Sequence, residues 1–507
     1  MKTKVLEVTN EYALYLMDES KRKGFAEKIS FPESTEAVAE VVRYADREGL
    51  KLTVQGSRTG VGGGAVPEGG LVISLEKLRG CERLDRRQSG ENRLDPCDDK
   101  TDSGGSLFKF GAGMRLNEID GILKKAEGGP YFLPPDPTET TASIGGAASC
   151  NSSGARTYGY GPVRSFIEGL TVVMSDGSVL NLMRGDFSAE GRTIDVPGFG
   201  IAELPSYTMP DVKNAAGYYI KDGVDLVDLF IGSEGTLGII TEVVVRPVKK
   251  PSQIWGLIAF FEEEDGGLDC TDMLREEFPP LSADLGLISM EFFDCGSLDL
   301  LRMGGTNLPD SAKEAVFLEI CGDTVGDIIN IIRRIEVCIE RAGGNPSDAF
   351  VAGGERMFRE FKEVRHRTPV MVNEIISSIK KTVPSVTKLG SDMAVPASVF
   401  RRTAEMYRTG LEAEGLDYVI FGHVGNCHLH CNILSRNEDE YRRGKELFAV
   451  WAGKVSSSGG SVSAEHGVGK IKKDFLLKMY GEEGVGEMKR LKYFLDPKGI
   501  LGRGNIF

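Results

Sequence analysis

Four of the five histidines in the chain fall in two short segments near its C-terminal end. The first segment contains His423, His428 and His430 around the pair Gly425-Asn426. If this segment forms a hairpin that turns at the pair, His423 faces His428, and His430 shares their face because side chains alternate along a strand. A lone histidine is usually structural, but several imidazoles on one face are typical of a metal site. The hairpin therefore predicts metal binding.

The second segment, 463–469, places Glu465 and His466 side by side in a turn bounded by glycine. Two imidazoles and one carboxylate can bind a divalent ion and leave one coordination position open for a substrate oxygen. Zinc is the default ion for such a ligand set, and iron or manganese fits a similar set. The two segments together indicate an enzyme in which a bound cation contacts the substrate.

Glycine is unusually frequent, with 64 residues, and it clusters in three blocks. The first block, 54–65 (V-Q-G-S-R-T-G-V-G-G-G-A), follows a predicted strand and exposes successive backbone N–H groups, which suits a diphosphate. No helix opens directly after it and no Gly-Lys-Ser/Thr follows, so it is neither a Rossmann fingerprint nor a P-loop. The blocks 134–161 and 232–240 add hydroxyl and amide side chains. The alternative is that the first block is only a mobile loop.

The elements around these blocks follow from apolar periodicity. Residues 34–49 predict a capped helix, and 170–182 predict a hairpin that turns at Asp176-Gly177. Segments with strand character lie at 50–54, 71–75, 108–112 and 238–247. Residues 79–106 are charged and poor in apolar side chains, which favours a surface insertion.

After residue 250 the pattern changes. Apolar strands at 254–261, 287–293 and 315–320 alternate with amphipathic helices such as 325–342, which is typical of an α+β unit with an antiparallel sheet. A mostly helical stretch follows from 350 and is interrupted at 418–434. We therefore predict two domains, 1–250 and 251–507.

Composition excludes several classes of protein. The net charge of −14 and the absence of a basic patch argue against nucleic acid as a partner. No run approaches the roughly 20 apolar residues of a membrane span, and residues 1–20 lack the apolar core of a signal peptide. Nine scattered cysteines without CxxC pairs fit free thiols in a reducing cytoplasm. We expect a cytoplasmic protein, at most peripheral to the inner face of a membrane.

The three glycine-rich blocks, in this order, resemble the FAD domain of the vanillyl-alcohol oxidase/p-cresol methylhydroxylase superfamily. The histidine segments resemble its FAD-linked 2-hydroxy-acid dehydrogenases, which include D-lactate dehydrogenases, glycolate oxidase flavin subunits and D-2-hydroxyglutarate dehydrogenases. The resemblance covers residues 31–507 apart from the charged segment. It implies an α+β fold with a two-lobed FAD-binding domain, a cap domain with a ferredoxin-like antiparallel sheet, and a C-terminal helical segment.

The resemblance also implies which residues bind FAD. Those expected near the pyrophosphate, the flavin and its ribityl chain, or the adenine side are Gly56, Ser57, Thr59, Gly60, Gly62, Gly63, Pro135, Asp136, Thr141, Gly145, Gly146, Asn151, Ser152, Gly154 and Ile240. Members of the superfamily often attach the flavin to a histidine in the first block. The first 365 residues of this chain contain no histidine, and Thr59 stands where that residue would be. We therefore predict non-covalent FAD.

For the chemistry, the resemblance implies His423, His430 and Glu465 as metal ligands and His466 as the base. Arg365, in the segment 361–365, would clamp the substrate carboxylate. Asn432, Lys388 and, less directly, Asp392 would belong to the substrate site. The relatives usually have Asp-Gly-Asn at 426–428, where this chain has Asn-Cys-His. His428 is therefore a rival ligand, and Cys427 is a competing soft one.

The implied reaction is oxidation of a small 2-hydroxy acid, such as D-lactate, glycolate or D-2-hydroxyglutarate, to the 2-oxo acid by hydride transfer to the flavin. The electron acceptor would be a protein, a quinone or oxygen. A homodimer is compatible with this, as is a complex with an iron–sulfur subunit or an electron-transfer flavoprotein. The alternatives are an alkylglycerone-phosphate-synthase-like flavin transferase, a metal-dependent hydrolase, and an electron-transfer subunit without a substrate of its own.

Overall fold

A computed structural model describes residues 4–84, 106–280 and 286–507. In the first half, the described strands are β1 (Val5–Glu7), β2 (Lys28–Ser30), β3 (Leu52–Gln55), β4 (Leu71–Ser74), β5 (Cys81–Leu84), β6 (Leu107–Gly111), β7 (Tyr131–Phe132), β8 (Ile167–Val173), β9 (Val179–Met183), β10 (Thr193–Val196), β11 (Gly200–Glu203), β12 (Ile239–Val245) and β13 (Val248–Lys249). The helices there are α1 (Thr35–Glu48), α2 (Leu116–Leu123), α3 (Ile144–Ser149), α4 (Thr157–Tyr160) and α5 (Leu226–Phe230).

The second half has longer elements. Its described strands are β14 (Gln253–Phe261), β15 (Gly286–Phe293), β16 (Glu314–Gly322), β17 (Phe350–Ala352), β18 (Leu389–Gly390), β19 (Met393–Ala394), β20 (Tyr418–Gly422) and β21 (His428–Ile433). Its helices are α6 (Gly266–Glu277), α7 (Cys295–Met303), α8 (Val325–Arg341), α9 (Gly354–Thr382), α10 (Ala397–Ala413), α11 (Glu438–Ser457) and α12 (Lys473–Leu495). Among the described helices, none combines the length and apolar character needed to cross a membrane.

The first lobe is a small mixed sheet in the order β1-β2-β4-β3, in which β2 and β3 run parallel to β4. Helix α1 packs on it through a buried apolar stripe that includes Val38, Val41 and Val42. The Ser34 side chain caps the first turn, and Gly49 ends the helix in the left-handed conformation. The helix predicted at 34–49 is confirmed together with both caps.

The second lobe is a five-stranded antiparallel sheet in the order β5-β6-β12-β8-β9. The hairpin predicted at 170–182 is confirmed, because Val173 pairs with Val179 across the turn at Asp176-Gly177. At the start of the segment predicted as a surface insertion, 79–106, Cys81–Leu84 pairs with β6 as an edge strand, and most of its side chains are exposed. Charged side chains are suited to an edge strand, and the sequence analysis did not predict this pairing. The remainder, 85–105, lies outside the described residues.

The third sheet has eight antiparallel strands in the order β17-β14-β16-β15-β20-β21-β18, with β19 paired to β21. Helix α8 covers one face, where Leu257 and Leu318 are buried, and helices α7 and α9 cover the other, where Ile258 and Phe317 are buried. Both faces are covered, so the strands are apolar at consecutive positions. The predicted α+β cap with an antiparallel sheet is confirmed.

The end of the chain returns to the first lobe. The Leu52 amide donates a hydrogen bond to the Ile500 carbonyl (2.7 Å), and Ile500 and Leu501 are buried in the core beside α1. The preceding helix, α12, accounts for the predicted C-terminal helical segment. Residues from both ends of the chain therefore build one core.

Strands β20 and β21 form the histidine hairpin. Phe421 pairs with His430, and the His428 amide donates a hydrogen bond to the His423 carbonyl (3.2 Å). The predicted register, with His423 facing His428, is confirmed. The turn is longer than Gly425-Asn426 alone, because residues 424–426 form a short 3₁₀ segment and Cys427 takes a left-handed φ of +52°.

This conformation generates a prediction about Cys427. Left-handed backbone costs a non-glycine residue about 1–2 kcal/mol, and a β-branched residue is more strained still. Cys427→Gly gains that energy and loses the packing of a small buried side chain, so we expect its free energy of unfolding to stay within ~1 kcal/mol of the wild type. Cys427→Val should lose at least ~2 kcal/mol. Denaturant titration of both variants checks this, and equal destabilisation by the two would contradict it.

Candidate active site

A groove runs between the glycine-rich blocks and the second histidine segment. Its free volume is about 330 Å³, within the range of small-molecule sites. One part of its lining is the loop around Gly60 and the pair Gly145-Gly146, and another is Glu465 and His466. The groove therefore joins the predicted cofactor-binding loop to the predicted chemical groups, although almost the whole chain separates them in sequence.

The predicted FAD-binding residues divide into two groups. Those that line the groove are Gly56, Ser57, Thr59, Gly60, Gly62, Gly145, Gly146, Ser152 and Ile240. Those outside its described lining are Gly63, Pro135, Asp136, Thr141, Asn151 and Gly154. The carboxylate of Asp136 accepts hydrogen bonds from Lys362 (2.6 Å) and Arg365 (3.3 Å). It therefore lies on the predicted substrate side of the site, and its partners come from helix α9.

Gly145 shows why this lining is built from glycine. A Cβ atom added to Gly145 would lie 2.6 Å from the Cβ of Ala112, which is too close for any side chain. The short helix α3 can therefore approach the end of β6, and the Ser143 side chain accepts a hydrogen bond from the Gly146 amide there. The close packing fixes this wall of the groove.

The three hairpin imidazoles converge as the sequence predicts. The ring centroids of His428 and His430 lie 4.4 Å apart, and each ring lies 5.4 Å from His423. Glu465 reaches the cluster from the other segment, with carboxylate oxygens 3.3 Å from His423 Nε2 and 3.1 Å from His430 Nε2. The predicted ligands His423, His430 and Glu465 therefore meet at one point.

Each of the three imidazoles also has an oxygen atom close to one of its ring nitrogens. His423 Nδ1 lies 2.7 Å from a carboxylate oxygen of Glu291, and His430 Nδ1 donates to the Ser391 carbonyl (3.0 Å). His428 Nε2 lies 3.2 Å from Asp392 Oδ1. Such contacts fix the ring orientation and the tautomer of histidines that ligate metals.

Burial and charge set the protonation states of this cluster. Burial would lower the pKa of His423, but the carboxylates of Glu291 and Glu465 outweigh it and raise that pKa to about 9. Burial opposes ionisation of Glu465, yet Lys213 and His423 hold its pKa well below the ordinary value. Lys213 donates to the Glu465 carboxylate (2.7 Å) with only 4% of its side chain exposed. The cluster is built to hold positive charge beside Glu465.

The donor set fits a divalent ion. One ligand atom from each of His423, His428, His430 and Glu465 lies within 4.8 Å of all the others. Both ring nitrogens of His428 are buried and have no hydrogen-bond partner among the described residues. Cys427 is not part of this ligand group, and burial raises the pKa of its thiol to about 11. Its role as a competing ligand finds no support in this geometry.

His466 stands between this cluster and the groove. Its Nδ1 lies 3.3 Å from Asp392 Oδ2, and its Nε2 lies 3.5 Å from Glu465. Burial lowers the pKa of His466 to about 4, although Asp392 and Glu465 raise it, so the ring is neutral at pH 7. The side chain is still 37% exposed, because it faces the groove. The neutral ring can accept a proton at its open face, although the lowered pKa makes it a weaker base than free imidazole.

Hydrogen bonds join the segment that carries His466 to residues that line the groove. The carboxylate of Glu234 accepts hydrogen bonds from the amides of Val468 and Gly469 (2.7 Å each), and the Lys470 amide donates to the Gly62 carbonyl (2.8 Å). The glycine loop and the His466 turn are therefore in direct backbone contact. This contact sets the position of His466 relative to the groove.

Arg365 lies behind the cluster on helix α9, with 6% of its side chain exposed. Its guanidinium contacts Asp136 (3.3 Å) and lies 4.0 Å from Glu291, the carboxylate that holds His423. Arg365 is therefore a buried position of the helix and does not face solvent. Asn432, in strand β21 of the histidine hairpin, is buried beside Gly390. Lys388 is exposed to solvent, although desolvation by the surrounding protein lowers its pKa.

Comparison with known proteins identifies the family. Residues 26–183 match the family described as "FAD binding domain", and residues 261–506 match "FAD linked oxidases, C-terminal domain". The chain belongs to the FAD-linked oxidases. In this FAD-linked oxidase, the first match contains the glycine loop, and the second contains Arg365 and both histidine segments.

Related proteins align over nearly the whole FAD-linked oxidase. The glycolate oxidase subunit GlcD of Bacillus subtilis is 28% identical, over 96% of this chain and 90% of the relative. The D-lactate dehydrogenase of Anaerostipes hadrus is 28% identical (93% and 88%), and the D-2-hydroxyglutarate dehydrogenase of Xanthomonas citri pv. viticola is 26% identical (94% and 89%). An alkyldihydroxyacetonephosphate synthase structure superposes with a TM-score of 0.63 at 14% identity, over 98% of this chain and 81% of that chain. That likeness shows a shared fold.

The sequence of the FAD-linked oxidase did not reveal the contacts that Glu291, Lys213 and Asp392 make in this site. Glu291 carried a signal, because it is an acidic residue within the apolar strand β15 and charged residues are rarely buried unless paired. Lys213 carried none, because its segment is polar and irregular. Asp392 was assigned to the substrate site, but it contacts His428 and His466 from behind.

The contacts of Asp392 generate a prediction. Its carboxylate accepts hydrogen bonds from Lys472 (2.5 Å) and Ser463 (2.8 Å), and the residue is 2% exposed. Asp392→Asn leaves the Lys472 ammonium without its charged partner, so we expect a loss of about 3 kcal/mol in the free energy of unfolding. Asp417→Asn, which removes an exposed partner of Arg436, should cost less than ~1 kcal/mol. Matched denaturant titrations test the difference, and similar midpoints for the two variants would refute it.

Proposed function

We propose that this FAD-linked oxidase oxidises a small 2-hydroxy acid to the 2-oxo acid. The observation that carries the proposal is the groove lined by the glycine loop together with His466 and Glu465. Relatives named for glycolate, D-lactate and D-2-hydroxyglutarate, aligned over nearly their full length, support the substrate class. In this proposal residues 1–250 hold the cofactor and residues 251–507 supply the substrate pocket.

FAD occupies the groove without a covalent bond to the protein. The exposed backbone of the glycine loop suits the pyrophosphate, and Thr59 lines the groove where members of the superfamily attach the flavin to histidine. Bound FAD supplies the hydride acceptor, and the protein supplies position and charge. The predicted residues outside the described lining of the groove are also proposed to contact FAD: Gly63, Pro135, Asp136, Thr141, Asn151 and Gly154.

A divalent ion, with zinc as the default, is held by His423, His430 and Glu465. The chemistry that this ion supplies is stabilisation of negative charge on the substrate's hydroxyl oxygen. The support is the convergence of two imidazoles on one carboxylate.

The substrate is bound through its carboxylate by Arg365, whose two parallel N–H donors match a carboxylate. Asn432 and Lys388 are proposed to contribute further polar contacts to the substrate. Asp136 and Glu291 orient the guanidinium before substrate arrives. The substrate's hydroxyl then lies toward His466, which accepts the hydroxyl proton at Nε2 while Asp392 holds Nδ1.

The acceptor of the electrons is a protein partner, a quinone or oxygen, and the protein acts as a homodimer or with an iron–sulfur or electron-transfer flavoprotein subunit. A cytoplasmic location is supported by the free thiols of the described cysteines. The transferase and hydrolase alternatives are not favoured, because the sequence relatives named above are all hydroxy-acid oxidases or dehydrogenases.

The proposed FAD site predicts the effect of a side chain at Gly60. A Cβ added there meets no atom of the described residues within 4 Å, so Gly60→Val leaves the fold intact and projects bulk where the cofactor binds. We expect FAD affinity to fall by about tenfold or more, which corresponds to ~1.4 kcal/mol. Gly80, which also has open space for a Cβ, supplies the control Gly80→Val. Flavin retention after dilution measures both, and unchanged affinity in Gly60→Val would count against this location.

The proposed base predicts the behaviour of His466→Ala. The variant should retain FAD, because no backbone contact of the groove is removed, while anaerobic reduction of the flavin by the hydroxy acid slows by about 10²-fold or more. Lys473→Ala, a nearby change outside the groove lining, is the control and should keep the wild-type rate. Stopped-flow absorbance against a panel of D- and L-2-hydroxy acids gives the rates and the substrate. Wild-type reduction kinetics in His466→Ala would remove the assignment.

A further inference from the structure

The histidine hairpin carries one imidazole more than the proposed metal site uses. We propose that His428 is a fourth protein ligand, so that three imidazoles and Glu465 hold the ion. This inference rests on the proposed function, because it refines the metal site of that reaction. Position 428 is also where the resembled dehydrogenases usually have asparagine, so the feature distinguishes this chain from them.

The burial of His428 is the first argument. The residue is 0% exposed, and its Nδ1 has no hydrogen-bond partner among the described residues. A buried polar nitrogen without a partner costs free energy, so such groups normally have a partner that completes them. The ring centroid lies 4.4 Å from His430 and 5.4 Å from His423, which places a shared cation within reach of all three rings.

The orientation of the ring is the second argument. His423 and His430 each have one nitrogen held by an oxygen, from Glu291 and from the Ser391 carbonyl, and turn the other toward Glu465. His428 also has an oxygen nearby, since Nε2 lies 3.2 Å from Asp392 Oδ1, but neither of its ring nitrogens has a hydrogen-bond partner among the described residues. A carboxylate behind an imidazole is the usual support of a histidine ligand.

A fourth ligand changes the kind of ion that the site accepts. Four protein ligands fill the tetrahedron of a structural zinc site and leave no position open. The cluster instead adjoins the groove through Glu465 and His466. For a substrate oxygen in the groove to bind the ion as well, the ion must take five or six ligands. Manganese and iron have this preference, and zinc would have to exceed four-coordination.

X-ray absorption fine structure at the metal K edge tests the proposal directly. The holoenzyme is loaded with one equivalent of Zn²⁺ or, separately, of Mn²⁺, and the imidazole ligands are counted. We expect three in the wild type, two in His428→Asn and three in the control His366→Asn, since His366 lies outside the cluster. Chelator competition should show metal affinity about tenfold to 100-fold lower in His428→Asn than in the control. The flavin absorbance confirms that each variant is folded.

The outcomes separate this inference from the proposed function. Two imidazoles in the wild type, or equal affinity in His428→Asn and the control, overturn the fourth ligand while leaving the proposed reaction in place. Failure of the wild type to bind either ion overturns the fourth ligand together with the proposed metal site, whereas failure of every 2-hydroxy acid in the panel to reduce the flavin overturns the proposed reaction. The wild-type count needs no variant, so it decides the question even if His428→Asn does not fold.

Discussion

The candidate site depends on one buried carboxylate, that of Asp392. Its oxygens accept hydrogen bonds from the amides of Glu465 and His466 and from the Ser463 hydroxyl. The same oxygens contact the rings of His428 and His466. Removing an unpaired carboxylate from water is strongly unfavourable, so Asp392 is stable only when both histidine segments are in place around it. This requirement makes the hairpin and the His466 turn a single structural unit.

A second set of contacts joins that unit to the groove. Glu234 comes from the third glycine-rich block and receives the amides of Val468 and Gly469, while Asn505 donates to the carbonyls of Gly64 (3.1 Å) and Glu234 (3.2 Å). Burial raises the pKa of Glu234 to about 6, against the effect of these amides. The wall of the groove therefore includes residues from the beginning, the middle and the end of the chain. Its geometry is set only after the whole chain has folded.

The sequence predicted features that depend on residues close together in the chain, and it missed contacts between residues far apart in it. The register of His423 and His428 was predictable, because it depends on alternation along one hairpin. The loop around Gly60 was recognisable, since its function requires consecutive small residues. The contacts of Lys213 and Asp136 were not, because a buried ion pair joins residues more than 200 positions apart. Charge pairs of this kind leave no periodic pattern, and polarity along the chain does not distinguish a surface insertion from an edge strand such as Cys81–Leu84.

The charges around Glu465 explain why this cluster attracts positive charge. Glu465 and Glu291 are both buried, and two carboxylates in a low-dielectric interior require positive charge nearby. Lys213 and Arg365 supply part of it, and the raised pKa of His423 supplies the rest as a bound proton. A histidine must lose that proton to ligate a metal. The proton on His423 and a metal ion would therefore exclude each other, and either one would balance the negative charge of these carboxylates. The field that favours protonation of His423 is therefore the field that favours a divalent ion at this point.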